Sequence, residues 1–208
     1  MAEMSDNPFA DDPHWNLTPV PAERGAPDLP RLAEALREFN DLMTGSDAPA
    51  ELVKEMLQQV ELFNAELAAH QVPERDQIVG RIDLPGRAQT LIPVVHTDSS
   101  GPDHIHGRIT FGRYYLGRNG AVYGGAIPLL FDSVLGRLSN APGRPPSRTA
   151  YLHVDYRSVT PVGVELRFEA RFVREEGRKR FIRGALYHGD TLCAEAEGLF
   201  LALRAGQR

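Results

Sequence analysis

Asp132 is the one carboxylate within an otherwise apolar stretch, residues 127–135. A carboxylate among Leu130, Phe131 and Val134 is costly unless it is paired or put to use. Two readings stand side by side. Asp132 serves as a base or nucleophile, or it pairs with Arg137 or a residue of a neighbouring strand. Eight positions upstream, the stretch opens with Gly124-Gly125. A helix starting there presents unpaired backbone N–H groups and a partial positive charge. Two residues without side chains let a bound molecule approach them. Pro128 then falls in the first turn, where a missing N–H costs little.

Other constellations fare worse. The chain has no Gly-x-Ser-x-Gly elbow and no phosphate-binding Gly-x-x-x-x-Gly-Lys. His104 and His106 can share one strand face, but no third ligand stands at zinc spacing. No metal and no cofactor is expected.

A helix apolar on nearly all sides must be wrapped, and the following chain supplies the wrapper. Residues 104–116 read as a long strand, and 91–95 as a possible short one, with a loop over 98–103. After a Pro/Gly loop, 149–159 alternates, with Leu152, Val154 and Tyr156 on one face and Tyr151, His153, Asp155 and Arg157 on the other. Residues 165–174 alternate again. Glu175 to Arg178 is a hairpin turn, 179–188 a strand, Gly189-Asp190 a turn, and 191–203 a last strand. The expectation is α+β: strand, buried helix, then a four-stranded meander. Upstream, Leu32, Leu36, Phe39 and Met43 follow helical spacing, with Pro30 at the start and Gly45 at the end. A second helix, capped by Ser46 or Asp47 with Pro49 in its first turn, carries Leu52, Met56, Val60, Phe63 and Leu67. Both are expected as a packing layer. The division is an arm over 1–28 with Phe9, Trp15 and Leu17 as anchors, a helical extension over 29–90, and a main domain over 91–208.

The 208 residues, 42% hydrophobic and 25% charged, suit a globular chain with a real core. No apolar run reaches the ~18 to 20 residues of a membrane span. The acidic N-terminus has no apolar signal segment, and Cys193 is the single cysteine, so a cytoplasmic protein without disulfides is expected. Net charge is uneven. Residues 1–103 hold 7 − 19 = −12 and residues 104–208 hold 16 − 9 = +7. The basic half could draw an anionic ligand, or simply face its acidic half.

The run from Gly117 to Asp132 resembles the signature of hotdog-fold acyl-CoA thioesterases of the PaaI and THEM type. That signature is His-Gly-Gly with an acidic residue nine positions after the His. Tyr123 stands at the His position and Asp132 keeps the spacing, while Ser133 replaces a second common acid. Residues 149–156, with Pro161 and Gly163, are similar to the family's next strand, and 194–200 to its last. The resemblance covers about residues 104–204. It implies a long antiparallel sheet around one helix, and a homo-oligomer, dimer or dimer of dimers, with sites at the subunit interface. It implies an acyl-CoA substrate, fatty or aromatic, hydrolysed to free acid and CoA, with Asp132 as base or nucleophile. The Gly124 N–H would be the oxyanion donor and the Thr149 hydroxyl would orient water. Tyr123 and Gly125 would border the substrate, Asn119 could reach its carbonyl, and Tyr156, Arg174, Arg178 and Lys179 would contact the carrier. No nucleic acid is expected as a partner. A rival is an acyl-CoA or lipid-binding hotdog weakened as a catalyst by Tyr123. A hydratase-type lyase ranks last, because no His pairs with the Asp.

Overall fold

The computed structural model describes residues 20–204. Most of the expected arm, with Phe9, Trp15 and Leu17, lies outside the described residues.

Helix α1 spans Leu29–Thr44, with Pro30 in its first turn and Gly45 closing it. Helix α2 spans Ala50–Ala68. Its N-cap is Pro49, not Ser46 or Asp47. Pro49 is extended (φ −59°, ψ 148°) and no side chain caps the first turn. The strands are β1 Val95–Ser100, β2 His104–Thr110, β3 Ser147–Tyr156, β4 Glu165–Glu176, β5 Lys179–His188 and β6 Thr191–Ala202. Helix α3, Ala126–Ser139, lies between β2 and β3 in the chain. All six strands form one sheet in the order β1-β2-β4-β5-β6-β3, and every pairing is antiparallel.

Three expectations need correction. The loop over 98–103 is half strand. Asp98, Ser99 and Ser100 belong to β1, and Asp98 accepts a two-pronged bond from Arg108 across the ladder. A polar run can be a strand where each polar side chain finds a partner on a solvated face. The strand over 104–116 stops at Thr110, and residues 113–115 form a single 3-10 turn. That segment leaves the sheet to meet α1. The Tyr114 N–H donates to Asp41 Oδ1 at 2.8 Å, and a side chain at Gly112 would collide with that carboxylate. Finally, the last four strands are not a meander. β4, β5 and β6 are, through turns at Gly177 and Gly189, both at positive φ. β3 pairs with β6 at the far edge. Residues 157–164 cannot turn tightly there, because they bind the chain before α3. The Val122 N–H donates to Thr160 O, and the Val162 N–H to Gly120 O. The next strand is therefore delivered to β2, and the sheet closes over the helix.

α3 fills the concave face. Ile127, Leu130, Phe131, Val134, Leu135 and Leu138 are buried with Phe168, Ile182, Leu186 and Phe200. Each such side chain contributes roughly 1.5–3 kcal/mol by leaving water. The contact is close because β5 has a glycine there. A Cβ at Gly184 would sit 2.8 Å from the Phe131 ring.

The extension attaches through α1. Ala33 and Leu29 pack with Ile78, Ile82, Leu84 and Ala88, and Arg37 donates to Pro85 O (2.8 Å) and Gln89 O (2.9 Å). α2 has no buried residue. The packing-layer expectation therefore holds for one face of α1 and not for α2, against which no strand lies. The basic half is not a free cationic surface. Arg108, Arg157 and Arg183 pair with Asp98, Glu195 and Glu197 on the solvent face of the sheet.

Candidate active site

The start of α3 is built from outside the helix. The Tyr123 N–H donates to Tyr115 O at 2.7 Å, and the Ala126 N–H to Tyr123 O at 2.9 Å. Among the described residues the Gly124 N–H finds no acceptor. The Tyr156 hydroxyl, at the end of β3, donates to Gly124 O at 2.7 Å. It fixes the peptide after Gly124 and leaves the N–H before it open. The two glycines then differ. A Cβ at Gly124 would meet nothing nearer than Tyr156 Oη at 3.8 Å, whereas one at Gly125 would lie 2.7 Å from the Tyr123 ring. Gly125 is small because Tyr123 folds over it, and Gly124 faces open space. Tyr123 itself is 64% exposed.

Asp132 lies mid-helix on the exposed side of α3. Its partner is Thr149, whose hydroxyl donates to Asp132 Oδ1 at 2.9 Å. Arg137 turns elsewhere, donating to Thr97 Oγ1 at 2.8 Å; burial lowers its pKa. Among the described residues no cation pairs with Asp132. Of the two bland partners, the strand residue is present and the arginine is not. A carboxylate held by a single hydroxyl keeps lone pairs for a water proton.

Thr149 reaches Asp132 because β3 is irregular. Strict alternation would put Thr149 on the face of Tyr151. The register slips between them: Thr149 pairs with Phe200, Tyr151 with Leu199, Leu152 with Gly198. Ala150 is thus the extra residue of a bulge, and Thr149 joins Leu152 on the helix side. Bulges re-aim side chains in this way next to functional sites.

The structure does not bring every expected residue here. Asn119 (φ 53°) and Gly120 (φ 75°) form the tip of a turn closed by the Ala121 N–H on Arg118 O. Asn tolerates that left-handed backbone, which accounts for its type. Arg174 donates to Glu176 at 2.6 Å and stacks on Phe181 at 3.7 Å. Phe181 and Arg174 lie on the face away from α3, opposite Ile182. Arg178 donates to Ala202 O, and Lys179 pairs with Glu176 across the β4–β5 hairpin. Arg174, on β4, lies three strands from β3, ~14 Å at the usual spacing, whereas Arg178 and Lys179 sit at the β4–β5 turn beside the end of β6, opposite Ala202 and Leu201.

Two supporting residues were not singled out from the sequence. Arg180 is 1% exposed. It donates to Ser139 O and Pro145 O, both at 2.8 Å, and to Glu175 at 3.0 Å, clamping the C-terminus of α3 to the sheet. The signal was there: Arg180 has the inward parity of Ile182, Gly184 and Leu186. The Tyr115 hydroxyl donates to Thr90 O and Leu91 O at 3.1 Å, and burial pushes its pKa up to about 12. It ties the α3 entry to the extension.

Residues 119–195 match the family model described as the thioesterase superfamily. This segment belongs to that superfamily. Its fold is the hotdog, a sheet wrapped round one helix. A crystal structure of a thioesterase superfamily protein is similar at 23% identity, TM-score 0.72, over 88% of this chain and 94% of that one. The hotdog alone would fill little more than half of the chain, so the likeness of fold extends into the helices. A phenylacetic acid degradation-related protein of Ralstonia eutropha JMP134 is similar over 59% of this chain and 94% of that one, at 21% identity and TM-score 0.50. AziG of S. sahachiroi is similar over 53% and 91%, at 16% and 0.50. No curated protein matches the sequence. Within this hotdog, the acidic residue, the helix start and the strand hydroxyl lie around one helix. No helix among the described residues is long and apolar enough to cross a membrane.

Proposed function

We propose that the protein hydrolyses acyl-CoA thioesters in a site shared by two subunits. The observation that carries this is Asp132, free of any cation among the described residues and held by Thr149, on the helix whose start presents the open Gly124 N–H. The two groups are eight residues apart, roughly 12 Å along one helix. A carbonyl cannot lie about 3 Å from both. Two antiparallel copies of α3 bring Gly124 of one subunit to Asp132 of the other and make two such sites. The free outer edge of β3 at the end of the sheet suits pairing with a second copy.

In that site the Asp132 carboxylate takes a proton from a water that also bonds to Thr149. The oxygen adds to the thioester carbon, and the oxyanion forms against the Gly124 N–H. Collapse breaks the C–S bond, and the proton on Asp132 passes to the departing CoA sulfur. The products are the free acid and CoA. Fatty or aromatic acyl groups suit the apolar surroundings. Tyr156 acts through the Gly124 peptide. Arg174, Arg178 and Lys179 would meet the CoA phosphates.

The Tyr123 ring over Gly125 favours a second reading, an acyl-CoA-binding hotdog with weakened catalysis. Thiol release measured on the purified protein across acyl-CoA chain lengths separates the two. Saturable turnover supports the hydrolase. Tight binding without turnover supports the binding protein, and neither binding nor turnover contradicts both.

A further inference from the structure

The helical hairpin exposes an apolar face that the other described residues leave bare. Leu36 and Phe39 of α1 and Leu52, Met56, Val60 and Phe63 of α2 line a groove of about 370 Å³. Phe63 is 64% exposed. Most of a helix's stability in a protein comes from packing its apolar face, and soluble proteins rarely leave so large an apolar patch open. A second bare patch lies at the start of α3. Leu116, Tyr123, Tyr156 and Val159 are all exposed there, gathered by the Leu116–Val122 bridge and the Tyr156 bond to Gly124 O.

The segments that carry the two patches differ in net charge. Residues 29–68 hold 3 − 8 = −5, against +7 for residues 104–208. Two hairpins packed on each other would oppose like charges, whereas a hairpin on the hotdog unit of another copy opposes unlike ones. Within one chain the patches do not meet. α1 is pinned by Arg37 to residues 85–89 and by Asp41 to Tyr114, and α2 lies beyond it.

We infer that the α1–α2 hairpin of one subunit covers the α3 entry of the other, placing Met56 and Phe63 against the partner's Tyr123–Tyr156 surface as a wall for the acyl chain. The inference rests on the two-subunit site proposed above. The exchange is reciprocal, so a two-fold dimer buries both patches twice and leaves no open copy of either.

The test replaces Phe63, and separately Leu52, with the photo-crosslinking p-benzoylphenylalanine in the full-length chain. Isotope-labelled and unlabelled chains are mixed, dimers are verified by mass, and cross-linked peptides are sequenced after irradiation. The expected products join the probe to residues 114–123 or 156–159 of the other chain. Products to residues 29–68 of the other chain, products within one chain only, capture of a different protein, or no inter-chain product from a verified dimer overturn the inference. The readout does not depend on turnover. An inactive protein with the expected cross-links would refute the hydrolase and leave the cover in place.

Discussion

Replacing Thr149 with valine isolates the hydroxyl that the β3 bulge aims at Asp132. Valine keeps the shape and the β-branch that suit a strand, so pairing with Phe200 should persist. What is lost is one hydrogen bond of 2.9 Å to a carboxylate. Bonds to charged groups contribute ~1.5–3 kcal/mol. Asp132 is exposed in the single chain, so the lower end, ~1.5–2 kcal/mol, is the appropriate figure. If the bond orients the attacking water, that loss falls on the transition state and lowers kcat ~10- to 30-fold. KM should change little, since no ground-state contact to the carrier is removed. Thr149→Ser, which keeps the hydroxyl, should recover most of the rate. Steady-state thiol release and thermal unfolding on the same preparations decide it. A folded Thr149→Val protein with wild-type kcat, or one whose only change is a raised KM, refutes the reasoning.

Arg180→Met removes a buried guanidinium and leaves Ser139 O and Pro145 O without their donor. It should cost about 2 to 4 kcal/mol, a fall in Tm of roughly 5 to 15 °C in a thermal melt; an unchanged melt would show that the clamp is not needed. Tyr156→Phe deletes the 2.7 Å bond to Gly124 O and should lower kcat several-fold with the fold intact, whereas unchanged kinetics would mean that the helix start is held by Tyr123 and Tyr115 alone. Tyr123→His restores the signature residue and should raise turnover or broaden acyl choice in the chain-length series. Identical profiles would make Tyr123 a packing residue.

The parts legible in the sequence are those governed by local period and chemistry. α3 is apolar on nearly all sides and opens on two glycines, and β5 alternates cleanly between turns at Gly177 and Gly189. What escaped depended on contacts distant in the chain. β1 is polar because Asp98 pairs with Arg108 across the ladder, and Asp98-Ser99-Ser100 therefore reads as loop. β3 reaches the far edge because residues 157–164 are engaged beside Val122. The bulge at Ala150 reverses the face that alternation assigns to Thr149, so the Thr149–Asp132 bond could be inferred only by resemblance. Asn119 and Arg174 looked available as chemistry, but the first answers a backbone demand and the second is occupied by Glu176 and Phe181. The stripes of α1 and α2 were plain, but among the described residues nothing buries that of α2.

The shared site is tested most directly by mixing two dead proteins. Asp132→Asn keeps the shape and loses the base, and Gly124→Pro loses the donor N–H. Each homodimer should be inactive. After co-refolding, half of the dimers are mixed, and each mixed dimer has one intact site of two. Thiol release should then return to about a quarter of the wild-type value. Verified mixed dimers that stay inactive, or a proven monomer that hydrolyses acyl-CoA at the full rate, would contradict the account.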